Sequence, residues 1–279
     1  MYQEDMLDYF QSKMKKVKKN YSSALKKNDP DGVHDLRVDL KRLKAYYNLI
    51  ESINRNFKSK NEFKIFKIIA DNTGCLRDTQ VQKDLIKKMN ESLMPDIHEY
   101  LQFLVTIEKH HYELFCKFSQ SKPLEKLKDS TNSITHALKN ISPVRAETRA
   151  QGRFFNLRNN LILLSSNRRL SENILHKVRK QTKETHYTLE IINHSFHIFP
   201  DWKEFTDEIS KVHKLLGDWH DLDVGLITLR NFIKDNKGSL PDEPYAILAK
   251  HIQDSKKDLR THFRKTFNEF IRAASHYEL

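Results

Sequence analysis

The chain has 279 residues, room for one large domain or two of about 140. Hydrophobic residues make up 38%, charged residues 31% and aromatics 10%, which allows a buried core under a highly charged exterior and excludes a disordered chain. A formal net charge of +12 and a pI near 9.4 argue against a cationic partner and for an anionic one: nucleic acid, a phosphate polymer or an acidic membrane surface.

Helical periodicity dominates, and six glycines with seven prolines leave little punctuation for β turns, so the chain reads as all-α. A first helix is expected over about 3–27, stopping at Asn28-Asp29-Pro30-Asp31, where Asp29 or Asp31 caps the next. The second carries His34 and extends to about Ile53. A third runs from about Lys60 to Asn72 and ends at Gly74 as a C′ residue. Asp78 is expected to cap a short fourth helix through Met89, and Pro95 to open a fifth through Phe118. Lys122–Leu138 reads as one more helix before the break at Asn140–Pro143. Ser142 as N-cap with Pro143 at N1 then starts a helix through Leu164. Ser171 caps a helix carrying His176 to about Phe199. Trp202–Leu216, a stop at Gly217, and Asp221–Lys234 follow. After a loop at 236–241, a last long helix reaches about Ser275.

The second helix carries a cationic row. His34, Arg37, Lys41 and Lys44 stand at i, i+3, i+7 and i+10, and 142 residues later His176, Arg179, Lys183 and His186 repeat the spacing. At about 100° per residue each set falls within an arc of roughly 80° and runs about 15 Å along its helix, which suits an extended polyanion. Leu36, Leu40, Leu43, Tyr47 and Ile50 line the opposite face. In the second copy the inward positions are Val178, Thr182, Thr185, Leu189 and Ile192, a weaker stripe. A second motif repeats at an offset of 143: Gly74-Cys-Leu-Arg77-Asp78-Thr-Gln-Val81 against Gly217-Asp-Trp-His220-Asp221-Leu-Asp-Val224. Two unrelated motifs with offsets agreeing to one residue indicate duplication, with repeats at 1–141 and 142–279.

Catalytic and metal chemistry lack a pattern. His186, His194 and His197, or His220 with Asp221 and Asp223, have no diagnostic ligand spacing, and no HExxH pair or GxxxxGK[ST] loop occurs. No enzyme activity, metal or cofactor is expected. Cys75 and Cys116 form no CxxC motif, the N-terminus lacks a signal-peptide h-region, and no run approaches 18 apolar residues, which together suggest a soluble protein of the cytoplasm.

These motifs resemble the CHAD family, the conserved histidine α-helical domain, whose members carry a His-x-x-Arg-x-x-x-Lys/Arg-Arg-Leu-Arg helix and a Gly-x-x-Arg-Asp-x-Asp-Val turn in each half. Here they stand as HDLRVDLKRLK and HKVRKQTKETH, GCLRDTQV and GDWHDLDV. The resemblance implies two pseudo-symmetric four-helix bundles around a central basic pore or groove, and non-catalytic binding of inorganic polyphosphate, with granule association implied by the family alone. The Glu-x-Glu-x-Lys strand of fused triphosphate-processing domains does not occur. The expected ligand contacts are His34, Arg37, Lys41, Lys44, Arg77, His176, Arg179 and Lys183. A second tier comprises Arg42, Lys109, His186, Lys256, Lys257 and Arg260. Because Lys183-Glu-Thr-His186 and His220 depart from the pattern, the first repeat is expected to carry more affinity and the second more pH dependence. The histidines are expected to make binding tighten as pH falls. Nucleic acid is the alternative ligand, and a scaffold docking an acidic partner a further one.

Overall fold

The computed structural model describes residues 2–26, 29–93, 96–127, 130–165, 171–198 and 202–276. Its helices are α1 (Tyr2–Ala24), α2 (Pro30–Ile53), α3 (Ser59–Glu62), α4 (Lys64–Asn72), α5 (Gly74–Leu93), α6 (His98–Ser119), α7 (Ser130–Leu138), α8 (Pro143–Ser165), α9 (Glu172–Phe196), α10 (Lys203–Asp235) and α11 (Asp242–His276). A 3₁₀ turn at Pro123–Leu127 precedes α7, and no strand occurs among the described residues. The fold is all-α, as its periodicity indicates.

Local chemistry sets the key boundaries. Asp29 caps α2 by accepting from the Asp31 amide at 3.1 Å, its other oxygen is held by the Ser23 hydroxyl at 2.6 Å, and Pro30 takes N1. A Cβ at Gly32 would come within 2.8 Å of the Ala24 backbone nitrogen, so glycine lets the end of α1 lie against the start of α2. Ser171 caps α9 through the Ile174 amide, and the helix ends at Phe196 because His197 is left-handed at φ 55°. The Phe199 and Pro200 placed near that end lie outside the described residues, as do Lys27, Asn28 and Pro95.

Three expected breaks differ. Gly74 starts α5 instead of ending a helix, and Gly217 sits inside the continuous α10. Leu216, Trp219 and Leu222 are buried around Gly217, so packing carries the helix through a residue that disfavours it by only about 1 kcal/mol. Asp78 and Asp221 are therefore helix-interior residues, not caps. Conversely, the helix expected over 60–72 is divided at Phe63 into α3 and α4, and that expected over 122–138 into the 3₁₀ turn and α7.

The helices group across the repeat boundary. Hairpins α1–α2 and α8–α9 pack on each other around the larger apolar cluster, which includes Tyr46, Leu43, Phe154 and Ile191. Hairpins α5–α6 and α10–α11 share the smaller one, which includes Ile86, Tyr100, Leu226 and Tyr245. Both inward stripes are buried, Thr182 and Thr185 included.

Candidate functional site

Packing of α2 against α9 brings the two cationic rows together. Two acidic braces hold that contact. Glu190 of α9 accepts from Lys13 Nζ and Arg42 Nε at 3.1 Å each and from the Tyr9 hydroxyl at 3.2 Å, tying α9 to α1 and α2. Glu184 accepts from Asn48 of α2 at 3.0 Å and pairs with Arg153 of α8. The acid that interrupts the basic text of the second repeat is thus an interhelical brace. Arg42 is engaged the same way, with Asp39 at 3.6 Å as a second partner.

Each arginine is anchored by a carbonyl. Arg37 donates to the Ala70 oxygen at 2.7 Å, and Arg179 to the Leu216 oxygen at 3.2 Å. A Cβ at Gly74 would rest 3.4 Å from the Arg37 guanidinium, which gives the first motif's glycine a packing role, while Gly217 has open space around it. Arg77 reaches the Pro30 carbonyl at 3.5 Å, at the start of α2.

Lys41 and Lys183 are the unusual members. Both are half-buried, and neither has an ion pair or hydrogen bond among the described residues. Burial, then Arg37 and Arg179, push the Lys41 ammonium down to about 8. Burial, then Lys41 and Arg179, push Lys183 down to about 6. The carboxylates of Asp78 and Asp221 act in the opposite sense on Lys41, and Asp221 does so on Lys183, without overcoming either effect. Burial raises Asp221 itself, against the pull of Arg179.

The histidines divide. His34 is exposed and lowered by its partial desolvation, then by Arg77. His176 lies 3.5 Å from Asp223 and packs edge-on to Trp219 and His220. His186 is lowered by burial, with Ser210 Oγ at 3.5 Å and the His213 ring centred 6.0 Å away. His213 is pushed down to about 3 by burial, then Lys183 and His186, and His220 to about 4 by burial, then Arg179 and His176. His220 Nδ1 is buried without a partner.

Arg37, Lys41, Arg179 and Lys183 therefore share one electrostatic environment, with Arg77 and His34 at one end. Lys44 is exposed at the far end of the first row. Of the second tier, the Lys256 ammonium is engaged by Asp223 and by Glu172 at 3.1 Å, and lies 5.5 Å from the Trp219 ring centre. Lys257 and Arg260 are exposed beside it on α11, and Lys109 is exposed on α6. Sequence reasoning missed His213, Asp78 and Asp221 as charge partners of the rows. His213 carried a usable signal, since the 143-residue offset places it opposite Ala70, whose carbonyl anchors Arg37.

The decisive comparison is with family models, where the CHAD domain model matches residues 8–230. The chain belongs to the CHAD family. A crystal structure of the CHAD domain from the plant Ricinus communis is similar over 100% of this chain and 93% of that one, with a TM-score of 0.70 at 15% identity, a likeness of CHAD fold. No curated protein matches the chain. In this CHAD protein no described helix is long and apolar enough to cross a membrane.

Proposed function

We propose that this CHAD protein binds inorganic polyphosphate without catalysing its turnover, in a trench between the cationic rows of α2 and α9. One observation carries the reading: Lys41 and Lys183 are half-buried beside other cations with no hydrogen-bond or ion-pair partner among the described residues, and the nearby Asp78 and Asp221 do not offset the repulsion. Such a cluster is electrostatically incomplete, and a linear polyanion is what completes it. Two arginines fixed by carbonyls offer planar forks that set register, while the lysines add mobile charge. His34, Arg77 and Lys44 extend the track at its ends, with His176 and His186 as further members on α9. The repeats at 1–141 and 142–279 each contribute one wall.

Nucleic acid shares this charge chemistry, but single-strand readers add exposed aromatic platforms. Beside the rows, Tyr187 and Trp219 are buried, and the half-buried Phe63 is a single ring, not a run of platforms for successive bases. Polyphosphate, which asks for no base contact, is favoured. Location in the cytoplasm and on polyphosphate granules belongs to the same proposal.

Competition tests it. Excess long-chain polyphosphate is expected to displace labelled single-stranded DNA, while DNA displaces labelled polyphosphate poorly. The opposite ranking would assign the trench to nucleic acid.

A further inference from the structure

The basic row of α2 has a second side. Arg37, Lys41 and Lys44 also line a cavity of about 410 Å³ enclosed with α3 and α4, a volume within the range of about 300–1,000 Å³ common for small-molecule sites. Its remaining wall is unlike a polyphosphate track: Leu40, the half-buried ring of Phe63, and Ala70. Phe63 is fixed in place by stacking on Phe66 at 5.5 Å and an edge contact with Tyr47 at 5.8 Å. Lys60 and Lys67 stand exposed at the rim. The one carboxylate in the lining, Asp71, is engaged by Lys67 at 2.6 Å, which leaves the cavity cationic.

Two polar atoms refine the chemistry. Asn48 donates to Glu184 and Ser59 donates to Glu51 at 2.7 Å, so the Asn48 carbonyl oxygen and the Ser59 hydroxyl oxygen remain as acceptors within the lining. A phosphate offers these acceptors nothing, whereas the amino group of a nucleobase does. An inorganic chain likewise gains nothing from Phe63 and Leu40. The duplication sharpens the point: the position opposite Ala70 in the second repeat holds His213, whose ring packs against His186 and Tyr187. A small residue keeps space open in the first repeat where the second has a ring.

We propose that this cavity binds a nucleoside polyphosphate, its base against Phe63 and its phosphates on Arg37, Lys41 and Lys44. The base contact is independent of the polyphosphate reading, although the two ligands share cations and compete.

The test compares fluorescently labelled ATP with labelled long-chain polyphosphate, using the full chain as wild type and as Ala70→Phe and Lys60→Glu variants. Unlabelled ATP is expected to displace the labelled nucleotide about tenfold better than tripolyphosphate, the order contributed by one base on an aromatic face. Ala70→Phe should lower ATP affinity at least about tenfold. Lys60→Glu, an exposed change away from the core, should weaken ATP several-fold, which covers the case that the filled variant does not fold. Equal displacement by ATP and tripolyphosphate, no saturable ATP binding, or unchanged ATP affinity in a folded Ala70→Phe variant would overturn the proposal. Loss of polyphosphate binding by wild type would instead sink the trench reading and leave the nucleotide result standing.

Discussion

Polyphosphate binding should be accompanied by proton uptake, chiefly at Lys183. In the free protein Lys183 titrates near 6 and Lys41 near 8, both lowered by burial first and neighbouring cations second. At pH 7.5 Lys183 is then about 3% protonated and Lys41 about 75%. A polyanion against both restores them toward the ordinary value of about 10.5, so binding takes up about 1.2 protons, about one of them at Lys183. The sign follows directly: the complex holds more protons than the free protein, so affinity rises as pH falls and levels off below about 6. Between pH 6.5 and 8.5 full restoration of Lys183 alone weakens binding by up to about 80-fold. The assay is isothermal titration with long-chain polyphosphate at pH 7.5 in buffers of different ionisation enthalpy, which reads protons transferred. Lys183→Met should cut uptake to about 0.2 protons. Zero uptake, or uptake unchanged by that substitution, would refute the reasoning.

Without ligand, Lys183 costs stability. Its unfolded-state value exceeds the folded one, so the unfolded chain binds more protons between about pH 6 and 10.5, and stability rises with pH across that window. Lys183→Met should raise the melting temperature at pH 7 by at least about 2–4 °C and flatten this pH dependence in thermal melts. Lys256→Ala leaves the buried Asp223 with a single weak partner, His176, and should cost about 3 kcal/mol in urea denaturation while polyphosphate affinity stays within twofold. Gly217→Ala, in a helix interior with nothing within 4 Å of the added carbon, should stabilise the protein by about 0.5–1 kcal/mol in the same assay.

The fold class and the helices were largely legible, because apolar spacing and caps such as Asp29 and Ser171 act locally. The duplicated rows were legible for the same reason. Glycine punctuation misled at Gly74 and Gly217, where tertiary packing outweighs a weak local preference. Side-chain partners were not legible, since each depends on what another helix brings. Arg42 and Lys256 have the same charge as Lys41 and Lys183, but Glu190 and Asp223 reach only the first pair. Lys183 adds a source of pH dependence that the motif did not announce, beside the one expected of the histidines. Its pattern position announces a cation, while burial beside Lys41 and Arg179 decides whether it stays one.

Because Lys41 and Lys183 hold no hydrogen-bond or ion-pair partner among the described residues, replacing both by glutamine removes charge without breaking a direct contact. The most direct measurement is therefore polyphosphate affinity of wild type and Lys41→Gln/Lys183→Gln across a range of salt concentrations. Loss of two cations facing a flexible polyanion predicts a slope of log affinity against log salt shallower by about 1.4 in the variant than in wild type, with weaker binding and an unchanged or higher melting temperature. A variant that keeps wild-type affinity and slope would contradict the account.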